Sequence, residues 1–515
     1  VLFRSASVDD GGSGYGNSPP SVTIGGAGSG AVAYATLYNG TVISVTMSVT
    51  GTGYGTGSVA MTLSAPSAIV ASSTTFWRLG VWNSTDGYPS VTTFYQDRLC
   101  FAGSTNYPQR VDCSATGDYE NFAPSNVDGT VVDSNGLSFT LSAAEVNAVR
   151  WIISDEKGML VGTTGGEWVV RPSSVNDALT PTNVSAKQAT QYGSANVQAF
   201  KIGKATLFIS RDAKRMREMA YVFQNDGFQS PDISLVSNHL LLDGIKQIAV
   251  QKAPQQILWL VRNDGALLSC TYDREQDVVA WAEHTLGGTE VNVESVAVIP
   301  SSDGTRDEVW LVVKRTINGS AQRHVEYMTK FWETGDAIET AAYLDSSAQY
   351  SGSPATTVSG LTWLEGATVS VLADGAVHPD CTVASGAITL SWSASVVQVG
   401  LGYNSDGKTM RIEAGGAEGV AQGKFKRIHR VIFRFTESLG LQLYSDIDGT
   451  WQYVDQSFRT SADAMDEPVA LFSGDKRWAW EGTWDTDGYI AWRQNQPLPS
   501  NILAVIAQME TQDGG

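Results

Sequence analysis

Four stretches of the chain repeat one unit: an apolar run, a polar turn and a second run. They are "GMLVGTTGGEWVV" (158–170), "ATLFISRDAKRMREM" (205–219), "ILWLVRNDGALLSCTY" (257–272) and "EVWLVVKRTINGSAQRHVEYM" (308–328). Leu160 to Leu207 spans 47 residues, Leu207 to Leu258 spans 51, and Leu258 to Val309 spans 51. Strand pairs that return every ~40–50 residues are the mark of propeller blades, because each blade is one antiparallel sheet that buries its faces only against its neighbours. "RLCFAGS" (98–104) fits the same unit, but Leu99 lies 61 residues before Leu160. Either one blade carries an insertion there or the register slips. The blades are expected within residues 71–340.

Strand signals continue on both sides of this region. In residues 11–66 a Gly-rich unit occurs twice, "GSGYGNSPPSVTI" and "GTGYGTGSVAMTL", with Tyr15 and Tyr54 39 residues apart. Between the copies an alternating run is centred on Asn39-Gly40, the strongest short-range hairpin signal. No helical pattern follows the glycines, so they are read as β turns and not as a phosphate cradle. Residues 1–70 are therefore expected to form a duplicated β module, with a truncated N-terminus because the chain starts in mid-pattern without Met. Residues 341–425 read as a small inserted β domain with turns at Asp374-Gly375 and Ser385-Gly386. Residues 426–515 supply further strands that complete the platform or the propeller. With 515 residues, 52 glycines and 15 tryptophans, the expected class is all-β, a β-propeller core with additional small sandwich- or barrel-like β domains.

The charge excludes one class of function. The chain carries 53 acidic and 34 basic residues, a net charge of -19, whereas nucleic-acid binders need a basic face to neutralise phosphates. The longest apolar runs fall short of the ~20 residues that a membrane span requires, so no membrane insertion is expected. Cys100, Cys113, Cys270 and Cys381 are scattered without a C-x-x-C pair, which indicates neither a zinc site nor a disulfide framework.

Candidate chemistry thins out on inspection. "TYDREQDVVAW" places Asp273, Arg274, Glu275 and Asp277 between two apolar flanks, and it reads as a solvated hairpin tip. Acid–base work would need a second group aimed at it from another blade. "SDIDGTW" (445–451) and "WDTDGY" (484–489) lack the Glu that closes an EF-hand loop and read as tight turns. The first also resembles, with one residue missing, the structural Asp-box turn of sialidase-like propellers. Five histidines show no metal-ligand spacing, His378 reads as a turn residue, and no G-x-S-x-G elbow occurs. No catalytic, cofactor or metal residue is expected, and the chain reads as a non-enzyme.

The densest basic stretch is "KFKRIHR" (424–430). Phe425, Arg427 and His429 alternate with Ile428, but Arg430 then falls on the apolar side, so the two faces separate imperfectly. Lys424, Lys426, Arg427 and Arg430 are the candidate assembly contacts.

Several stretches, in order along residues 90–510, resemble the nozzle (tail tubular protein B-like) proteins of short-tailed bacteriophages. They include "FYQDRLCFAGSTNYPQRVDCSATGDYENF" (94–122), "LWLVRNDGALLSCTYDREQDVVAWAEH" (258–284), "VESVAVIPSSDGTRDEVWLVVKRTING" (293–319), "KRIHRVIFRFTESLGLQL" (426–443) and "GYIAWRQNQPLPSNILAVIAQME" (488–510). The resemblance implies a virion protein assembled in the host cytoplasm. It would be a homohexameric ring at the end of the tail, joined to the tail adaptor protein and carrying fibres or spikes. Such a ring is a channel that DNA crosses without tight binding, and an acidic wall suits a passing polyanion. The rival reading is a glycan-binding or polysaccharide-degrading propeller, for which Trp478, Trp480 and Trp484 would offer stacking surfaces.

Overall fold

The computed structural model describes residues 8, 12–15, 17–55, 59–66, 82–126, 128–143, 147–174, 177–413, 415–416, 419–447, 450–465, 467–480 and 482–512. It divides into two units, residues 1–80 and 81–515. The fold is all-β: small antiparallel sheets with a few 3-10 turns.

In the N-terminal unit, strands Ser29–Tyr38 and Thr41–Thr52 form the expected hairpin. Asn39 and Gly40 both take positive φ, 48° and 72°, which is the twist-matched two-residue turn that an Asn-Gly pair favours. The duplication has a structural meaning. Val22–Ile24, which ends the first copy, pairs with Met61–Leu63, which ends the second. Tyr54 is buried and its ring lies where a Cβ on Gly28 would stand 2.4 Å away, so only glycine admits it.

The second unit opens with a series of sequential meanders. The first has strands Val91–Tyr95, Arg98–Ala102, Arg110–Cys113 and Leu137–Thr140. The second has Val149–Asp155, Gly158–Thr163, Gly166–Arg171 and Ser185–Thr190. Phe200–Ile202, Ala205–Ile209, Met216–Val222 and Gly227–Gln229 make the third, and Ile245–Gln251, Ile257–Arg262, Leu267–Asp273 and Val278–His284 the fourth. A three-stranded fifth comprises Thr289–Pro300, Asp307–Ile317 and Ser320–Tyr327. Leu99, Leu160, Leu207, Leu258 and Val309 all fall on the second strand of their meander, so the register inferred from spacing holds. The long first interval is an insertion between Cys113 and Leu137.

These meanders stack face to face, as blades do. Met159, Val161, Trp168 and Val170 share a core with Cys100, Val111 and Leu137 of the first meander. Their neighbours Leu160 and Val169 point the other way, onto Phe208 and Met219 of the third. Leu207, Ile209 and Met216 then meet Leu258, Leu260 and Leu268 of the fourth, and Trp259, Val261 and Leu267 meet Val293, Val309 and Leu311 of the fifth. Covering both faces explains why the second strands of the second, third and fourth meanders are continuous buried runs, while those of the first and fifth alternate. Gly162 makes the second sheet possible: Trp151 lies across it, 2.0 Å from where a Cβ would be. Among the described residues no strand pairing or shared core joins the fifth meander back to the first.

The insertion is tied down by a buried arginine. Arg98 donates to the carbonyls of Ser114 (2.7 Å), Asn135 (2.6 Å) and Asp133 (2.7 Å). A disulfide joins Cys100 to Cys113, which are register partners on adjacent strands. That corrects the sequence expectation of no disulfide. The two cysteines are brought together by strand pairing, which their spacing alone does not reveal.

Two further parts follow. Strands Asp345–Ser359, Ala387–Leu401, Thr368–Ala373 and Ala376–Thr382 form a small sheet, in that order, over its own core. Its hairpin turns are the ones read from sequence, with positive φ at Asp374, Gly375, Ser385 and Gly386. The remaining strands make a four-stranded and a three-stranded C-terminal sheet and a short two-stranded ribbon, Gly415–Gly416 with Gly419–Val420. Ser405–Lys408 hydrogen-bonds to Ala491–Gln494, so these sheets begin near residue 405 and not at 426. No helix among the described residues is long and apolar enough to cross a membrane.

Candidate assembly surface

The basic stretch lies on strand Phe425–Ser438, the centre of a three-stranded sheet flanked by Phe472–Ala479 and Asn501–Gln512. One face of this strand is core: Ile428, Val431, Phe433 and Phe435 are buried with Leu441, Leu443 and Ile490. Phe433 stacks on Phe435, and Trp478 and Phe458 pack edge-on or tilted against them. Aromatic pairs of this kind add about 0.5–1.5 kcal/mol beyond area burial.

A β-bulge resolves the imperfect alternation. The pairing with Asn501–Gln512 shifts between Ile428 and Arg430, leaving His429 as the extra residue. Ile428 and Val431 therefore both point inward, while His429 and Arg430 are both exposed. Bulges re-aim side chains in this way, and period-two reasoning cannot foresee them.

Lys426 is a correction. It lies in the inward phase before the bulge, is only 1% exposed, and its Nζ donates to the Thr486 carbonyl at 3.1 Å. Burial removes it from the surface that Lys424, Arg427 and Arg430 were expected to share with it. Lys424 is half-buried in the turn before the strand. Arg427 and Arg430 are exposed, and two residues not anticipated from sequence join them. Arg434 and Arg477 lie on the same outward face, because Arg434 pairs with Asp475 and Ile432 with Arg477 in the register. Arg434 makes a two-pronged ion pair with Asp475, at 2.8 and 3.1 Å. That hydrogen bonding, with the charge of Arg434 and Arg477, holds the Asp475 carboxyl below its ordinary range. Arg427, Arg430 and Arg477 have no ion-pair partner among the described residues. Exposed Leu503 (64%) and Ile506 (40%) complete a mixed arginine–aliphatic face.

The other candidates are structural. Asp273 Oδ1 accepts the amides of Glu275 and Gln276 at 3.0 and 3.2 Å, and Arg274 reaches across to Glu218 of the third meander at 2.9 Å. The stretch is a hairpin tip that caps itself and ties two blades together. His378 sits in a strand, not a turn: it is buried against Trp392, and its Nε2 accepts the Ser391 amide at 2.8 Å. In "WDTDGY", Asp485 Oδ1 accepts the Asp487 amide and Asp487 pairs with Arg411 at 2.9 Å. Asp448 and Gly449 of "SDIDGTW" lie outside the described residues. Among the described residues no group of three His, Cys, Asp or Glu side chains is placed to hold a metal. Trp478 and Trp480 belong to the core, and Trp484 is 39% exposed.

One buried polar cluster has no sequence signal. Arg315, 1% exposed, donates to the Gly287 carbonyl at 2.8 Å and pairs with Glu326. The Gly287 amide in turn bonds Asp345 at 2.6 Å. Burial pushes the Asp345 carboxyl up to about 6, against the opposing pull of that amide and of Arg315, with Glu326 adding to the rise. This network fastens the fifth meander to the small sheet.

A family model described as bacteriophage nozzle protein matches residues 90–410, which takes in all of the stacked meanders and the small sheet. The chain belongs to the bacteriophage nozzle family. As a nozzle protein it is a structural component of the phage tail. No curated protein matches it. Among solved structures it is similar to a putative 6-phosphogluconolactonase from Bacteroides uniformis ATCC 8492, at 10% identity over 58% of this chain and 81% of that one, with a TM-score of 0.28. An auxiliary nutrient binding protein from Bacteroides thetaiotaomicron VPI-5482 matches at 9% identity over 61% and 69%, with a TM-score of 0.28. The β-propeller domain of Myceliophteria_thermophila Cps50 (Swd1) matches at 9% identity over 47% and 86%, with a TM-score of 0.26. Scores this low carry no shared function to the nozzle protein.

Proposed function

We propose that this nozzle protein assembles with copies of itself into a six-membered ring that forms the distal tube of a short phage tail. The ring is the channel for DNA ejection, attaches to the tail adaptor protein and carries fibres or spikes. The observation that supports this reading most is the nozzle-family match across the stacked meanders. Charge supports it as well: a net -19 suits a conduit whose walls must not hold phosphates. The arginine face of the C-terminal sheet then belongs at a contact with a neighbouring subunit or the adaptor, away from the DNA path. The role is non-enzymatic. Single-particle imaging of the purified, concentrated protein tests it: six-fold rings with an open centre are expected, and particles without a central opening would overturn it.

A further inference from the structure

A cleft of about 320 Å³ opens in the C-terminal sheets, away from the arginine face. Its walls come from three separate segments: Tyr343 before the small sheet, Tyr403 and Ser405 after it, and Trp492, Gln496 and Ser500 near the C-terminus. Most buried or half-buried polar side chains in a folded protein are already hydrogen-bonded. Here the half-buried Tyr343, Tyr403, Gln496 and Ser500 side chains and the exposed Ser405 at the cleft's edge make no hydrogen bond to any described residue. Burial raises both phenols above their ordinary range, so they remain O–H donors at neutral pH. The one carboxylate on the lining, Asp406, is clamped by Arg493 at 2.6 and 2.8 Å. The cleft therefore presents no free charge. Trp492 is pinned in place, its ring against Gly407, where a Cβ would stand 2.2 Å away. Gln494 is committed too, donating to the carbonyls of Leu439 and Gly440 at 2.6 and 3.0 Å.

We infer that this cleft binds a neutral, polyhydroxylated ligand: a pyranose sugar. A charged ligand would find no counter-charge here, and an apolar one would strand five polar groups without partners. A sugar ring offers several hydroxyls that both donate and accept, together with an apolar C–H face for the aromatic walls. The volume lies at the small end of ligand pockets, about 300–1,000 Å³, which is the scale of one sugar unit and not of a long chain. The site is one of binding: no pair of free carboxylates converges on it for glycoside cleavage. The inference stands on the cleft alone and does not depend on ring assembly.

Saturation-transfer NMR on the whole chain tests this with neutral methyl hexopyranosides, methyl N-acetylhexosaminides and a methyl hexuronide. A second arm uses a neutral oligosaccharide, to separate a free sugar from the end of a polymer as the ligand. Saturable binding of a neutral pyranoside in the millimolar range is expected, weakened about tenfold by Gln496→Ala and by Tyr403→Phe, each removing one hydrogen bond. Using two variants guards against a folding defect in either, with the melting temperature as the control. The inference is overturned if no neutral sugar binds saturably, if the hexuronide binds tighter than the neutral sugars, or if binding survives both substitutions in folded protein.

Discussion

Strand Ile257–Arg262 of the fourth meander and strand Phe425–Ser438 of the C-terminal sheet are both central antiparallel strands, but their environments differ. In the first, five consecutive residues are buried; in the second, burial alternates from Phe425 to Phe435, interrupted there by the bulge at His429. A blade strand has a sheet against each face and leaves nothing for a partner. The basic strand has a core on one side and an exposed arginine–aliphatic surface on the other. The surface left uncovered thus follows from where sheet stacking stops.

The sharpest way to break this contrast is to truncate neighbouring residues on each strand. Trp259→Ala should cost about 3–5 kcal/mol and Leu260→Ala about 2–5 kcal/mol, because adjacent residues are buried on opposite faces. On the basic strand, Phe433→Ala should likewise cost about 3–5 kcal/mol, while its exposed neighbour Arg434→Ala should leave stability nearly unchanged. Chemical denaturation of the four variants checks this. A cheap Leu260→Ala or Trp259→Ala would mean that the blades are not covered on both sides.

A second test compares the tip of the fourth meander with its flank. Trp281 packs on the core shared with the third meander, and its Nε1 donates to the Ile233 carbonyl at 3.3 Å. Trp281→Ala should cost about 3 kcal/mol. Replacing Asp273 and Asp277 with Asn and Glu275 with Gln should change stability by no more than about ±0.5 kcal/mol each. An asparagine in place of Asp273 keeps a side-chain oxygen that accepts the turn amides. Thermal melts of the two variants decide. A tip variant that unfolds beside an intact Trp281 variant would reverse this reading and make the tip, not the flank, the part that holds the fourth meander.

The junction between the fifth meander and the small sheet predicts a smaller, pH-dependent effect. The Asp345 carboxyl is raised to about 6 in the fold, above the ordinary value of ~3.9 in the unfolded chain. The folded state therefore binds the extra proton, so this group's contribution is present below pH ~4 and is lost as pH rises through about 6. Asp345→Asn should gain stability over the wild type at pH 8 but not at pH 4. Denaturation curves at the two values measure the difference, and a constant offset would show that Asp345 does not titrate there.

Much of the fold is legible in the sequence because stacked sheets impose long apolar runs at a fixed spacing. Leu160, Leu207, Leu258 and Val309 mark the second strands of successive meanders for that reason, and Asn39-Gly40 and Asp374-Gly375 mark turns through their left-handed backbone. What escapes the sequence depends on pairing in space. Cys100 meets Cys113 only through strand register, Arg477 joins Arg434 only across the sheet, and Arg315 finds Asp345 only where two sheets meet. Lys426 and Ile428 face inward before the bulge and Val431 after it. Nothing local in "KFKRIHR" announces that change of phase, so the buried lysine cannot be told from the exposed arginines beside it.

The mass of the purified chain in solution, followed across salt concentration, tests the central claim most directly. Wild-type protein should form an assembly six times the mass of one chain, weakening as salt screens exposed charges beyond ~8 Å. Arg427→Ser, Arg430→Ser and Arg477→Ser combined should shift the population to single chains without lowering the melting temperature by more than a few degrees. An assembly indifferent to both salt and the triple substitution would move the arginine face from the subunit contact to the adaptor, and a wild-type protein that stays a single chain at every salt concentration would contradict the account.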